Sequence, residues 1–287
     1  MTSFTRVGFV VHEGRAEAVK AAAELARWCL DRGLEVRSLE GIDGLTEPTR
    51  PEAFAEGLDL VASVGGDGTL LRAAFMGHRA GAPVLGVMVG RLGFLTEVVP
   101  AEAPQALESW LRGELQIEER MALRADAEGA ETQWALNEII VEKRARHRVI
   151  RLAATVGEEH VTTFSADGVI VASPTGSTAY SFSAGGPIVS PRLRCMVLQP
   201  VAPHMTFDRP VVLAPDERVT LEVRPDEPGL LSADGRPGLE LPVGARVEIR
   251  RADRPARLLR RPGPESFYSL LRRKFALPAE PPGEDQV

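Results

Sequence analysis

The sequence predicts an α/β plus all-β protein: an N-terminal Rossmann-like, three-layer domain around a parallel sheet, then a mostly antiparallel β domain, with a C-terminal helix returning to the first domain. Three observations predict it. Over roughly the first 115 residues, short apolar runs alternate with segments of helical spacing, the rhythm of a parallel sheet covered by helices. From there to about residue 262 the runs are short, β-branched and alternating, divided by Pro-Asp, Asp-Gly and Pro-Gly turns. Helical spacing then resumes at Phe267, Leu270, Leu271 and Phe275. The expected domains are 1–117 together with about 263–277, and 118–262. The Pro-rich, acidic stretch 278–287 is expected to be a disordered tail.

Each element follows from its residues. Val7 to Val11 is an apolar run suited to a buried parallel strand. Ala16 to Arg32 carries Val19, Ala22, Leu25, Ala26 and Cys29 at helical spacing, and Gly33 stands where a helix C-terminal glycine belongs. Glu35 to Leu39 reads as a strand, as does Leu58 to Val64, which runs into Gly65-Gly66-Asp67-Gly68-Thr69 and a helix over Leu70 to Met76. Pro83 to Val89 is a further strand, ending in Gly90-Arg91-Leu92-Gly93-Phe94, and Ala103 to Leu111 is an amphipathic helix. In the β-rich part, strands are expected at Gln133 to Val141, Val149 to Val156, Val161 to Phe164, Val169 to Ala172, Val211 to Leu213, Val219 to Val223, Leu230 to Ser232 and Val247 to Arg250.

Composition narrows the function classes. The 34 basic and 40 acidic residues of the 287 leave a net charge of −6, without the basic surplus of a general nucleic-acid binder. No apolar run approaches the roughly 18 residues of a membrane span, and the N-terminus has no secretory pattern, so a cytoplasmic protein is expected. Two cysteines, Cys29 and Cys195, exclude a disulfide scaffold, and the five histidines show no metal-ligand spacing, so no protein-held metal is assigned. Lysine occurs only at 20, 143 and 274, every other basic residue being arginine, which reads as a compositional habit.

Three segments carry chemistry. In Gly65-Gly66-Asp67-Gly68-Thr69, glycines let backbone N–H groups approach an anion, and the helix that follows adds a partial positive charge. A carboxylate there suits a hydroxyl that must lose its proton or a metal that neutralises it, both of which phosphoryl transfer to an alcohol needs; the same residue would also serve as a cap of the following helix. The stretch from Ser165 to Pro187 is dense in small and hydroxyl residues, which admit a flat ring and offer hydrogen bonds to base edges and ribose hydroxyls, or form a plain Ser/Gly loop. Asn137-Glu138 interrupts an apolar run, as ligand groups or as residues facing solvent.

These segments, in this order, resemble the NAD kinase family. The matching residues are GGDGTLL at 65–71, GRLGFLTE at 90–97, NE at 137–138, DGVIVASPTGSTAYSFSAGGPIVSP at 167–191 and APHMTFDRPVVL at 202–213. The resemblance implies phosphorylation of the adenosine-ribose 2′-hydroxyl of NAD by ATP to give NADP, with a divalent cation, usually magnesium, accompanying ATP, and a homodimer or homotetramer. It implies that Asp67 is the catalytic base. It places Gly66, Gly68, Thr69 and Arg72 at the nucleotide and Asn137 and Glu138 at ribose hydroxyls. Arg148 falls at a position that contacts the dinucleotide from a neighbouring subunit. Asp167 with Thr178, Ala179, Tyr180, Ser181, Phe182 and Ser183 forms the bed of the nicotinamide and adenine parts. Ala202 lies in the APH segment, and Asp234 in an SADG segment that lines the cleft. Arg91 is a further candidate cation. The chain departs from the family pattern at Met88, at Arg236 and at His12-Glu13. Two rivals share parts of the pattern: a lipid kinase of the diacylglycerol type, which carries a similar GGDG turn, and a non-catalytic dinucleotide sensor, which has no need of Asp67.

Overall fold

A computed structural model describes residues 5–277 except Arg146, Asp226 and Pro264; the stretch 278–287 lies outside the described residues. The chain forms two compact units. One holds the residues up to Glu118 and from Arg257 onward, the other Glu119–Ala256.

The first unit runs β1 (Arg6–Val11), α1 (Ala16–Leu30), β2 (Glu35–Ser38), a short α2 (Pro51–Ala55), β3 (Leu60–Gly65), α3 (Asp67–Ala80), β4 (Val84–Met88), α4 (Ala103–Leu111) and β5 (Gln116–Arg120). The chain then builds the second unit from β6 (Leu123–Ala127), β7 (Gln133–Ala135), β8 (Glu138–Lys143), β9 (Ile150–Val156), β10 (Glu159–Ala166), β11 (Gly168–Ala172), a single turn α5 (Tyr180–Ser183), β12 (Met196–Val201), β13 (Val211–Leu213), β14 (Val219–Val223), β15 (Gly229–Ala233), β16 (Leu239–Leu241) and β17 (Arg246–Arg251). It returns through β18 (Ala256–Arg260) and α6 (Phe267–Lys274).

The sheet of the first unit has the order β2-β1-β3-β4-β18-β5, and β1 to β4 pair in parallel. Strand alternation assigns its two faces. Val7, Phe9 and Val11 of β1, Leu60, Ala62 and Val64 of β3, and Leu85 and Val87 of β4 share one core with Ala18, Ala22, Leu25 and Cys29 of α1 and Leu107 and Trp110 of α4. Gly8 and Gly86 face the other way. A Cβ at Gly8 would meet Phe54, and one at Gly86 would meet Leu70 of α3 at 2.6 Å, so their bare Cα atoms let α2 and α3 lie close on the opposite face. Helix α3 ends at Gly81, whose φ of 69° is the left-handed conformation of a helix C-terminal glycine. β1 leads to β2 on one side of the sheet and the chain crosses to β3 on the other. The carboxyl ends of β1 and β3 therefore flank the crevice where open α/β sheets bind ligands.

The second unit is two six-stranded antiparallel sheets, β10-β9-β14-β17-β6-β7 and β13-β12-β11-β8-β15-β16. Their facing side chains share one core, among them Leu152, Phe164, Leu221 and Ile249 from the first sheet and Ile139, Val141, Val169, Val171 and Leu198 from the second. The intervening residues Ile140, Ile170 and Val197 point to the other side of the second sheet and join Val189 and Cys195, so the loop after β11 covers that face. The expected single strand Gln133 to Val141 is two. β7 ends at Ala135 beside β6, and β8 begins at Glu138 in the centre of the other sheet. Asn137-Glu138 stands at that change of sheet.

Candidate active site

On the first unit, the carboxyl ends of β1, β3 and β4 surround a cavity of about 610 Å³ lined by Gly66, Asp67, Gly68, Thr69 and Arg72 together with His12, Arg15, Arg91 and Lys274. Asp67 does not cap its own helix: Gly66 is the N-cap, without a side-chain hydrogen bond. Its carboxylate instead accepts the backbone N–H groups of Phe94 at 2.8 Å and Leu95 at 3.1 Å, one on each oxygen. A Cβ on Gly93 would run into that carboxylate, which explains a glycine two residues before Leu95. A Cβ on Gly65 would collide with Thr69, so the first turn of α3 sits directly over the strand end. A Cβ on Gly66 or Gly68 would point into open space, and both glycines line the cavity, where their backbone can meet an approaching anion.

Charge in this cavity is mixed. Arg72 pairs with Glu40, whose other oxygen accepts the Val11 N–H at 3.0 Å, and Arg15 donates to the Val89 carbonyl at 2.8 Å. The ring of Phe94 touches Phe267 of α6, with centroids 6.0 Å apart, and carries the Lys274 ammonium 4.9 Å from its centroid. The buried Nδ1 of His12 has no hydrogen-bond partner among the described residues.

On the second unit, the backbone of Asn137 is held from both sides. The Asp234 carboxylate accepts the N–H groups of Leu136, Asn137 and Glu138 at 2.7, 2.8 and 3.2 Å, from a residue whose φ of 49° is left-handed. Ser173 donates its hydroxyl to the Leu136 carbonyl at 2.5 Å and its N–H to the Asn137 carbonyl at 2.8 Å. Gly176 lies so close that a Cβ there would meet the Asn137 backbone. The Asp234 side chain thus serves the chain it sits in. Burial pushes its carboxyl above the usual range, against the pull of those three N–H groups.

Asn137 is 8% exposed, and its Oδ1 has no partner among the described residues. The same holds for the buried Oε2 of Glu138. Burial, and next the charge of Asp234, push the Glu138 carboxyl up to about 8, a rise eased by the Tyr180 N–H that it accepts. The run from Thr178 to Ser183 begins in a tight turn, with the Thr178 hydroxyl on the Thr175 carbonyl at 3.3 Å, and continues as α5. Tyr180 and Phe182 are exposed, as is Ser183, while Ala179 is half-buried. Ser181 is fully buried, its hydroxyl without a partner among the described residues. Partial burial and the carboxylates of Glu142, Asp167 and Glu138 hold the Tyr180 phenol above its usual range.

Asp167 accepts the Lys143 ammonium at 2.5 Å and shares with Arg148 a cavity of about 690 Å³ that His147, Arg151 and His204 also line. A smaller recess of about 130 Å³ lies between Asp167 and Tyr180. Arg148 is exposed and paired with Glu227 at 3.0 Å. Ala202 is exposed, with a left-handed φ of 45°, directly after β12. Met88 ends β4, its N–H on the Val98 carbonyl at 2.7 Å, and Arg236 donates to the Trp134 carbonyl beside Asp234. Within their units, the residues expected at the site therefore gather as Gly66 to Arg72, as Asn137 with Glu138 and the 173–183 turn, and as Asp167 with Arg148.

Sequence reasoning passed over Arg15, Lys274 and the N–H groups that hold Asp67. One signal was available for Lys274. In a chain with lysine at only three positions, Lys143 and Lys274 both fall at cavities that also hold expected site residues.

Two family models match the chain: the ATP-NAD kinase N-terminal domain over residues 7–115 and the ATP-NAD kinase C-terminal domain over 136–261. A NAD kinase of Heliobacterium modesticaldum is 42% identical over 277 residues, covering 94% of this chain and 98% of that protein. One of Moorella thermoacetica is 46% identical over 225 residues, covering 77% and 71%. Among solved structures, yeast NADH kinase complexed with NADH aligns with a TM-score of 0.86 at 21% identity, covering 98% of this chain and 90% of that one, a likeness of fold. An NAD kinase from Archaeoglobus fulgidus in complex with ATP aligns with a TM-score of 0.69 at 26% identity, covering 95% and 97%.

Proposed function

The chain belongs to the ATP-NAD kinase family, and we propose that its Asp67 is the base that takes the proton of the acceptor hydroxyl as the γ-phosphoryl group of ATP moves to NAD. The reaction is the ATP-dependent phosphorylation of NAD. Its acceptor is the 2′-hydroxyl of the adenosine ribose, and its product NADP. One observation carries this reading: the Asp67 carboxylate, fixed by two backbone N–H groups, in a cavity at the carboxyl ends of β1, β3 and β4. Each oxygen accepts one bond, which sets the plane of the carboxylate and leaves lone pairs for a hydroxyl proton.

In the transfer the hydroxyl oxygen bonds phosphorus, the bond from phosphorus to the bridging oxygen breaks, and ADP leaves with that electron pair. The proton passes to Asp67. A loose phosphoryl-transfer transition state moves it late, so the placement of the carboxylate matters more than its basicity. The N–H groups of the 65–69 turn and the cations of the cavity receive the phosphates. Magnesium would enter as part of the substrate Mg-ATP, and Asp67 would offer it a hard oxygen donor in the same cavity. On the second unit, the unpartnered Oδ1 of Asn137 and Oε2 of Glu138 accept ribose hydroxyls, and Tyr180 and Asp167 flank the bases. Asp234 positions Asn137 and Glu138 through its three backbone contacts. The protein works as a cytoplasmic homodimer or homotetramer, with Arg148 offered to a neighbouring subunit's dinucleotide; light scattering on the purified chain measures the assembly.

Purified protein with NAD and Mg-ATP, followed by NADP-specific detection, tests the reading, with diacylglycerol in mixed micelles as the competing acceptor. NADP forms and the lipid stays unphosphorylated. Phosphorylated lipid without NADP would replace the reading with a lipid kinase. NAD binding in a calorimeter with no turnover would replace it with a dinucleotide sensor.

A further inference from the structure

We propose that helix α6 is a working part of the phosphate cavity, bringing Lys274 to the phosphates of ATP and docking through Phe94, the residue whose N–H holds the Asp67 carboxylate. Three observations meet here. First, no residue of α6 is fully buried, and its apolar residues Phe267, Leu270 and Leu271 are half-buried. It meets Phe94 twice, through Phe267 and through Lys274 over the same ring. Second, Phe94 has two faces in this arrangement: its ring receives the helix while its backbone N–H, 2.8 Å from Asp67 Oδ2, receives the carboxylate. Where the helix sits is thereby tied to where Asp67 points.

Third, the cations of the cavity are not equivalent. Arg72 is paired with Glu40, and Arg15 places one guanidinium nitrogen on the Val89 carbonyl. Arg15, Arg91 and Lys274 line the cavity with no ion pair to a carboxylate among the described residues, and of these Lys274 rests on the Phe94 ring. Arg273, next to Lys274 on the helix, is by contrast paired with Glu265 at 2.7 Å. An ammonium resting on an aromatic face is weakly held and keeps its hydrogen-bond donors free. A phosphate competes well for such a cation, as a carboxylate already bound to it would not allow. This rests on the phosphoryl-transfer reading of the Asp67 cavity and adds to it a donor-side residue from the far end of the chain.

The test compares Lys274→Ala, Lys274→Arg and Phe267→Ala with Lys20→Ala, a lysine on the outer face of α1, as control. The KM values for ATP and NAD are measured for each, and binding of a non-hydrolysable ATP analogue is measured by calorimetry. Lys274→Ala raises the KM for ATP and the analogue's Kd by about tenfold to a hundredfold, the loss of one charge-assisted contact. The KM for NAD stays, and arginine at 274 restores most of the affinity. Phe267→Ala weakens the analogue in the same direction with Lys274 retained. Unchanged analogue binding in Lys274→Ala, or an equal rise in both KM values that arginine does not rescue, overturns the proposal. Because analogue binding needs no turnover, a wild-type protein that makes no NADP would refute the reaction while leaving this contact measurable.

Discussion

Glu138 is an expected site residue whose surroundings alter its acidity. Buried against Asp234, its carboxyl titrates near 8 instead of near 4.5. A raised acid favours the folded state while it is protonated, because the folded form then binds a proton that the unfolded form has released. Its contribution is complete below about pH 4.5 and is lost as the pH rises through about 8. Glu138→Gln removes this term, so between pH 5 and about 9 the thermal midpoint of the variant falls less than that of the wild type. Parallel curves from differential scanning calorimetry would show that Glu138 ionises in the folded chain at its ordinary pH. The residue types at this position were legible in the sequence, as polar residues breaking an apolar run. The clamp was not, because Asp234 acts on the 136–138 backbone across nearly a hundred residues of chain.

Among elements, the turn 173–178 and the segment 136–138 act as one piece. Ser173 and Gly176 press on the Asn137 backbone, so Gly176→Ala forces a Cβ into main-chain atoms that cannot yield easily. The expected cost is about 1–3 kcal/mol in urea denaturation, together with a raised KM for NAD. A raised KM without loss of stability would place Gly176 at the ligand instead. Elements that bury a full apolar face were readable, β1, β3, β4, α1 and β11 among them. Those that escaped have physical reasons. β5, Gln-Ile-Glu-Glu-Arg, is a largely exposed edge strand. β12 contains Pro200, which reads against a strand; it is tolerated because β13 pairs only with Met196 to Leu198, leaving the side where Pro200 lacks an N–H without a neighbour in the ladder. The five-residue β18 shows its place only once β4 is there to receive it.

At the scale of the molecule, the first unit is not contiguous in sequence. β18 stands between β4 and β5 in its sheet, though it follows the entire second unit in the chain. A fragment ending at Glu118 therefore lacks an interior strand and leaves the facing edges of β4 and β5 unpaired. It is expected to melt without a cooperative transition, whereas 119–256, which holds both antiparallel sheets and their shared core, melts cooperatively; circular dichroism of the two fragments checks this. Periodicity distinguishes the α/β part from the β-rich part. The place of the returning helix depended on Phe94 and Phe267 meeting, which periodicity does not encode. The proposed chemistry turns on one carboxylate, Asp67. The most direct measurement is the steady-state rate of NADP formation by Asp67→Asn beside the wild type, at saturating NAD and Mg-ATP. A loss of about 10²-fold or more in kcat, with the KM for NAD little changed, is the result expected when a positioned base is removed. A near-normal kcat would contradict the role of Asp67 as the base.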